Sequence, residues 1–368
     1  MSTMLTDYRT AYSTESELLQ DIDYPQRVHW FKESYSRVKT GMIYAPHKVA
    51  EKVLDAQLLS DLKERGGKTA FIFASGNSNL ASEGRKTKES QLSYDYKILP
   101  LTLTQVYAGR IAALCGAQDY VTTDASACAS SLKVLSEVKY LIEHQGFDRV
   151  VVLGFEDQVN NMTLKFFGEA KACLTYENEL QDGVMPSAFD SKNYGFYVGQ
   201  GAVLAVFESE KIAKNAHARL VGAASASESF NNPIGQRDDG QGFSKAITFS
   251  LHQEKTEKAK IKIIKTHGTG TKSNNQAEKN GILNVFDHDF VATSFKPTIG
   301  HTMGASGLLE SLLLIDNLKK GVVPAIPNRS ENDDVFLSHD CQTDEGMFLS
   351  LAAGMGNIYS AAIFDARM

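Results

Sequence analysis

The sequence predicts an α/β protein made of two similar halves that follow each other along the chain. In both halves, short apolar runs typical of strands alternate with segments that carry apolar residues at helical spacing. Residues 129–132 (Ala-Ser-Ser-Leu) and 305–308 (Ala-Ser-Gly-Leu) begin helices at corresponding places, and apolar strands at residues 202–207 and 361–364 close the two halves. Chance similarity between two Ala/Ser-rich helix starts is the alternative. A duplication would place the two matching helices back to back between two sheets.

The first half opens with polar and aromatic residues 1–45, in which no strand is predicted. Apolar side chains then recur at helical spacing over residues 45–62. Residues 69–74 read as a buried strand that ends at the turn residues 75–78. The other elements expected here are a helix at 104–115, a strand at 120–123, a helix behind residue 128 that stops at Gly146, and strands at 149–153 and 201–207.

The second half repeats this plan. Strands are expected at residues 220–224, 261–266 and 290–294, and the helix at residues 306–318 ends before Gly321. We therefore predict one half over residues 1–210 and the other over residues 211–368.

Composition excludes several classes of protein. The net charge of −6 and the pI near 5.9 argue against a general nucleic-acid binder. No run approaches the ~20 apolar residues of a membrane span, and the first residues show no export signal. The four cysteines are widely spaced without a CxxC pair, which predicts neither a zinc site nor disulfides. A reducing cytoplasm is the expected compartment, with Cys115, Cys173 and Cys341 as small buried or half-buried residues.

Cys128 lies in an Ala/Ser-rich loop immediately before a predicted helix. Unpaired N–H groups and the helix dipole at such a position lower the pKa of a thiol and favour the nucleophilic thiolate. The alternative, taken alone, is a small buried hydrophobic residue.

Two histidines occupy loops rich in Gly, Ser and Thr. His267 directly follows a predicted strand and opens the segment His-Gly-Thr-Gly-Thr, and His301 lies five residues after Lys296 in a second tight turn. Two neutral imidazoles that donate N–H groups to one carbonyl would stabilise an enolate, and Lys296 could fix the charge around them. A turn with a satisfied histidine, or a metal site that lacks an evident third ligand, are the alternatives. Together with Cys128, this order predicts carbon–carbon bond formation on a thioester.

These residues resemble the β-ketoacyl-acyl-carrier-protein synthases of the thiolase-fold superfamily, in the elongating branch that uses a Cys-His-His triad. The resemblance runs from Val38 to Phe364 and includes residues 189–202 and Gly354-Met-Gly356. It implies a thiolase-like, duplicated five-layer α-β-α-β-α architecture.

The resemblance also implies roles for individual residues. Cys128 would be the acylated nucleophile, and His267 and His301 would bind the malonyl thioester carbonyl. Lys296 would support the histidines and be held by Glu278. The backbone N–H groups of Cys128 and Met355 would form the oxyanion hole. The substrate-binding positions carried over are Met355, Asn77, Thr269 and Thr271.

The implied reaction is a decarboxylative Claisen condensation between acyl-Cys128 and a malonyl-carrier thioester. It requires no metal, nucleotide or redox cofactor. The implied partners are the acyl and malonyl forms of an acyl carrier protein, and a second subunit in a homodimer or in a heterodimer with a chain-length subunit. Neither nucleic acid nor a membrane is expected as a partner. Arg37, Lys39 and Arg110 are candidate contacts for the acidic carrier, although an ordinary solvated surface is the favoured explanation for them.

Four departures from the family pattern favour a specialised type II polyketide or polyene enzyme over the housekeeping elongator. The usual opening strand is missing from the first dozen residues. Asn275 stands where an Asp is usual, which removes a negative charge near Lys296. Met355 replaces the gating phenylalanine and Asn357 a glycine. Asn77 falls where an apolar residue often lines the acyl tunnel.

Three other functions compete with this interpretation. A thiolase-fold acyltransferase would load Cys128 without elongating, and both histidines together with Lys296 argue against it. A non-catalytic chain-length subunit would have lost the cysteine. A redox or metal-binding protein is disfavoured by the lone cysteine in a loop before a helix.

Overall fold

The computed structural model describes residues 1–14, 53–76, 104–157, 166–170, 172–174, 183–228, 230–232, 234–331 and 335–367. The strands are β1 (Thr3–Thr14), β2 (Thr69–Ala74), β3 (Tyr120–Asp124), β4 (Arg149–Asp157), β5 (Gly199–Ser209), β6 (Ala218–Ser227), β7 (Ile263–Lys265), β8 (Val291–Thr293), β9 (Val322–Val323), β10 (Cys341–Gln342), β11 (Met347–Gly354) and β12 (Ile358–Asp365). The helices are α1 (Ala56–Arg65), α2 (Thr104–Leu114), α3 (Ser130–Lys133), α4 (Leu135–His144), α5 (Gln241–Gln253), α6 (Lys272–Leu283), α7 (Lys296–Ile299) and α8 (Ser306–Leu318).

Ten of these strands join in the order β3-β2-β4-β5-β1-β6-β12-β11-β7-β8. The seam lies between β1 and β6, which pair only from Thr3 to Leu5, whereas β1 pairs with β5 along its whole length. The same arrangement of strands appears once on each side of the seam. β2 and β7 each lie between two parallel neighbours, and the next two pairings toward the seam are antiparallel. The repeated strand order agrees with a duplicated chain, while the boundary between residues 210 and 211 stays a prediction.

Helices cover both faces of each five-stranded portion. α3, α4 and α8 lie in the middle, where Leu132 and Leu308 share one buried core with residues of both five-stranded portions. α1 and α2 pack outside the first portion around Phe71, and α5 and α6 pack outside the second around Phe243. The middle core spans both inner interfaces and each outer core fills one outer interface, as five layers require, and the predicted five-layer α-β-α-β-α architecture is confirmed.

The prediction that the chain lacks an opening strand is wrong, because Thr3–Thr14 forms β1. The strand escapes sequence analysis because, over residues 3–11, Met4, Leu5 and Ala11 are the only buried apolar residues, and the polar side chains between them hide any period of two. Its stability comes from backbone pairing with β5 on one side and, at its start, β6 on the other.

The helix expected over residues 45–62 is interrupted, because Val53 is helical, Leu54 and Asp55 are not, and α1 follows them. Ala56 is its first residue, and the Asp55 side chain caps it by accepting a hydrogen bond from the Leu58 backbone N–H at 2.8 Å. Residues 45–52 lie outside the described ranges. α4 ends at His144 with Gly146 left-handed just beyond it (φ 68°), as the sequence predicts. Within the described residues no helix has the length and apolar character of a membrane span.

The duplication extends to the turns that lead into the two central helices. Ala127 and Met303, each two residues before the matched Ala129 and Ala305, both adopt left-handed backbone angles (φ 49° and 43°) and begin a 3₁₀ turn. Such angles are costly for residues other than glycine and cluster at functional sites. These two turns come together at the centre of the molecule.

Candidate active site

Cys128 lies in the first of these turns, immediately before α3. Its Sγ atom is 3.8 Å from the Met303 Sδ atom of the second turn, and it packs against a buried apolar cluster that includes Cys173, Phe196 and Val198. Burial raises the pKa of the Cys128 thiol to about 12, and the positive charge of Lys296 offsets only part of that effect. The expected lowering of this pKa is therefore wrong, because desolvation outweighs the favourable charges at a helix start.

This protonated resting thiol predicts a distinctive pH dependence of alkylation. Since the thiolate is the reactive form, labelling of Cys128 by iodoacetamide should rise about tenfold per pH unit between pH 7 and 9. Peptide mass spectrometry would measure the rate, with the half-buried Cys341 as the internal control for the reagent. A rate that levels off near pH 7 would instead indicate a stabilised thiolate.

His301 follows α7 and is fixed by the chain around it. Its backbone N–H donates to the Tyr197 carbonyl at 2.7 Å, and its Nδ1 atom accepts a hydrogen bond from the Met303 N–H at 3.2 Å. Because Nδ1 is an acceptor, the ring proton is placed on Nε2. The Met303 residue that touches the Cys128 sulfur thus also orients His301.

His267 lies at the end of β7, beside His301. The two ring centroids are 5.6 Å apart at an interplanar angle of 81°. The loop turns back through Gly268 and Gly270 with positive φ (55° and 72°), and a Cβ atom on Gly270 would lie 1.9 Å from the Ser187 carbonyl oxygen. The buried Nδ1 atom of His267 has no hydrogen-bond partner among the described residues.

Both rings are held neutral. Burial lowers the pKa of His267 and of His301 well below 6.5, and the ammonium of Lys296 lowers both further. At pH 7 each imidazole therefore carries one N–H and no charge, which suits donation to a developing oxyanion.

Glu278, on α6, anchors the loop that carries His267. Its carboxylate accepts hydrogen bonds from the backbone N–H groups of His267 and Gly268 and from the Asn274 side chain. Burial raises its pKa, and these hydrogen bonds oppose that rise. The predicted contact between Glu278 and Lys296 is wrong, since the carboxylate is turned toward the backbone.

Lys296 is held by Glu310 of α8 instead. Its Nζ atom lies 2.7 Å from Glu310 Oε1, and the Nζ of Lys265 lies 2.9 Å from Oε2 of the same carboxylate. All three side chains are fully buried. Burial by itself raises the pKa of Glu310, but the two ammonium groups outweigh it and the pKa is lowered. Although Asn275 stands where an Asp is usual, the positive charge of Lys296 is therefore balanced by Glu310.

Sequence analysis missed Lys265, Glu310 and Glu156. A signal existed for the first two, because each is a charge inside an apolar element, Ile-Ile-Lys265 in β7 and Leu-Leu-Glu310 in α8. The Glu156 carboxylate, at the end of β4, accepts the N–H groups of Gly76 (2.6 Å) and Gly304 (3.1 Å). It ties the turn after β2 to the turn before α8.

The predicted substrate-binding positions within the described ranges lie in two loops. Thr269 and Thr271 face each other with their hydroxyl oxygens 3.1 Å apart. Met355 is exposed in the turn between β11 and β12. Asn357 takes the left-handed angle (φ 61°) at a position where the family has glycine, and its side-chain amide donates to the Phe230 carbonyl.

Several sequence predictions fall outside the described ranges or find no contact at the site. Asn77, Arg37 and Lys39 lie outside these ranges, and Arg110 is exposed on α2. In the parts of the chain that the structure describes, no three His, Cys, Asp or Glu side chains are grouped so as to hold a metal ion.

Comparison with known proteins matches this chain to two family models. "Beta-ketoacyl synthase, N-terminal domain" matches residues 26–213, and "Beta-ketoacyl synthase, C-terminal domain" matches residues 217–330. A putative mitochondrial 3-oxoacyl-[acyl-carrier-protein] synthase of Schizosaccharomyces pombe is 27% identical over 77% of this chain and 70% of its own length. The ketoacyl synthase alpha subunit of the tetracenomycin polyketide synthase of Streptomyces glaucescens is 28% identical over 67% of this chain and 60% of its own length. The chain thus matches between three fifths and seven tenths of these relatives.

Among solved structures, a ketosynthase in complex with its chain length factor from Xenorhabdus doucetiae has a similar fold. The TM-score is 0.74 at 18% sequence identity, and the match covers 99% of this chain and 98% of that one.

Proposed function

Because this chain belongs to the beta-ketoacyl synthase family of acyltransferases, we propose that it joins an acyl group held on Cys128 to the two-carbon unit of a malonyl thioester. The observation that carries the proposal is the pair of buried, neutral imidazoles, 5.6 Å apart and linked through Met303 to the Cys128 sulfur. Neutral N–H donors on two adjacent rings can stabilise the oxygen of an enolate.

The first stage is acyl transfer to the enzyme. The Cys128 sulfur attacks the thioester carbonyl, the bond to the carrier sulfur breaks, and the thiol proton leaves with that sulfur. The end of β11 supports an oxyanion hole at this point, because a Cβ atom on Gly354 would lie 2.6 Å from the Ser126 carbonyl of the Cys128 turn. We propose that the backbone N–H groups of Cys128 and of Met355, the residue after Gly354, form this oxyanion hole.

The second stage is decarboxylation of the malonyl thioester. His267 and His301 donate N–H groups to its carbonyl oxygen, carbon dioxide leaves, and the electron pair of the broken bond becomes the enolate. The enolate carbon then attacks acyl-Cys128. A carbon–carbon bond forms, the bond to Cys128 breaks, and the released thiolate regains a proton from water.

The acyl and malonyl donor that fits this chemistry is an acyl carrier protein. The name of the Schizosaccharomyces pombe relative includes that carrier, and the Streptomyces glaucescens relative is a polyketide synthase subunit. We propose a specialised type II polyketide pathway in the cytoplasm. The second subunit would be a chain-length factor, as in the Xenorhabdus doucetiae complex, with a homodimer as the alternative. In either assembly this chain would be the catalytic member, because it carries Cys128.

The experiment that tests the proposal is removal of each histidine. We expect His267→Ala and His301→Ala to slow carbon dioxide release from a malonyl-carrier thioester about 10²- to 10³-fold, as for loss of one oxyanion donor. Acylation of Cys128 should fall by much less, since the histidines act at the second stage.

The exposed His252 of α5 provides the control, and His252→Ala should match the wild-type rate. Unchanged decarboxylation in both site variants would contradict condensation and favour an acyltransferase that loads Cys128 without elongating.

A further inference from the structure

Lys265 is a fully buried lysine at the point where three elements of the site meet. It lies on β7, two residues before His267. Its Nζ atom donates to Glu310 on α8 at 2.9 Å and to the Leu351 carbonyl on β11 at 2.8 Å. One ammonium group thus joins three elements: β7, which leads to His267, α8, whose Glu310 holds Lys296, and β11, which leads to Met355.

The charges around Lys265 do not cancel in pairs. Lys265 and Lys296 share the single carboxylate of Glu310. Glu278 accepts hydrogen bonds from the backbone of His267 and Gly268, and Glu156 accepts them from the turn after β2 and the turn before α8. The remaining titratable groups at this centre are His267 and His301, both neutral, and the protonated Cys128. Lys265 therefore adds a second buried positive charge to the one carboxylate that already holds Lys296 beside the histidine pair.

Such a charge is costly for the fold. Removing an ammonium group from water costs several kcal/mol, and apolar replacement of buried ionic groups is often neutral or stabilising. A neutral amide side chain at this position, between β7, β11 and α8, would cost less free energy to bury. The buried charge of Lys265 is therefore explained if it contributes to the rate of the reaction.

We propose that Lys265 is a positioning residue for condensation. Its ammonium fixes the Glu310 oxygen that Lys296 does not use, and its positive charge, two residues before His267, favours negative charge on the enolate between the histidines. This inference rests on the proposed function for its effect on rate. Its effect on the histidines can be measured without substrate.

Lys265→Gln separates charge from hydrogen bonding, because the amide keeps an N–H donor for Glu310 or Leu351 and loses the charge. Histidine titration followed by NMR on the labelled free protein, assigned with the His267→Ala and His301→Ala variants, is the first readout. We expect both histidines to titrate about one pH unit higher than in the wild type, since a nearby positive charge is gone. Condensation should slow roughly tenfold, with Cys128 acylation changed less than about threefold.

Lys265→Arg restores the charge and should restore the wild-type titration. Lys265→Met serves the same test as Lys265→Gln if the glutamine variant is not recovered folded. Arg149→Met is the matched control, because Arg149 is also buried in an ion pair, with Glu208 at 2.8 Å. It should lower stability and leave the histidine titration unchanged.

An unchanged histidine titration in folded Lys265→Gln or Lys265→Met would overturn the proposal. A wild-type rate of condensation in a variant whose histidine titration has shifted would also overturn it. Shifted histidines in a protein whose wild type never condenses would support the placement of Lys265 and reject the proposed function instead.

Discussion

Glu310→Ala is expected to lower the free energy of unfolding by roughly 3–5 kcal/mol, the largest stability effect of any single substitution at the site. The substitution leaves the ammonium groups of Lys265 and Lys296 buried together without a counter-charge. It also removes the acceptor of the Ser306 hydroxyl, at 3.1 Å. Urea unfolding of the variant and the wild type measures the difference.

The pH dependence of this difference has a definite sign. The pKa of Glu310 is lowered in the folded state from its usual 4.5. Its stabilising contribution is therefore complete at neutral pH and is lost as the pH falls below that value. The exposed pair of Glu345 and Arg367 is the control, and Glu345→Ala should cost no more than about 1 kcal/mol. Equal losses in the two variants at pH 7 would contradict the buried triad.

Cys128→Ala is expected to abolish the acyl-enzyme and to slow condensation by at least about 10³-fold, as loss of a covalent nucleophile does in other enzymes. Decarboxylation of the malonyl-carrier thioester should continue, because His267 and His301 need no contribution from the thiol to bind its carbonyl. Intact mass and carbon dioxide release measure the two steps separately.

Cys173→Ala is the matched control for this substitution, since Cys173 belongs to the apolar cluster against which Cys128 packs. It should retain acylation of Cys128. An acyl adduct that survives in Cys128→Ala and disappears in Cys173→Ala would contradict the assignment and identify Cys173 as the nucleophile.

The fold was predictable wherever burial leaves a continuous pattern. β2 and β5 are buried along their whole length and read as strands from their apolar runs. The matched starts of α3 and α8 revealed the duplication. β1 could not be predicted, since its residues are mostly polar and its place depends on pairing with strands some 200 positions away in sequence.

The site was predictable in its loops and not in its charge pairing. Cys128, His267, Lys296 and His301 stand out because each lies in a short run of small residues. Which carboxylate meets Lys296 is decided by the packing of α8 against β7 and β11, and spacing along the chain cannot choose between Glu278 and Glu310. The direction of the Cys128 pKa likewise depends on the apolar cluster around it, which is assembled from distant residues.

The most direct test of the central claim is incubation of the purified chain with acyl-carrier and malonyl-carrier thioesters, followed by intact mass spectrometry of protein and products. We predict an acyl adduct on Cys128 in the presence of the acyl carrier alone, and a β-ketoacyl carrier two carbons longer when the malonyl carrier is added. Failure of Cys128 to take up the acyl group, with or without a chain-length subunit present, would contradict the account.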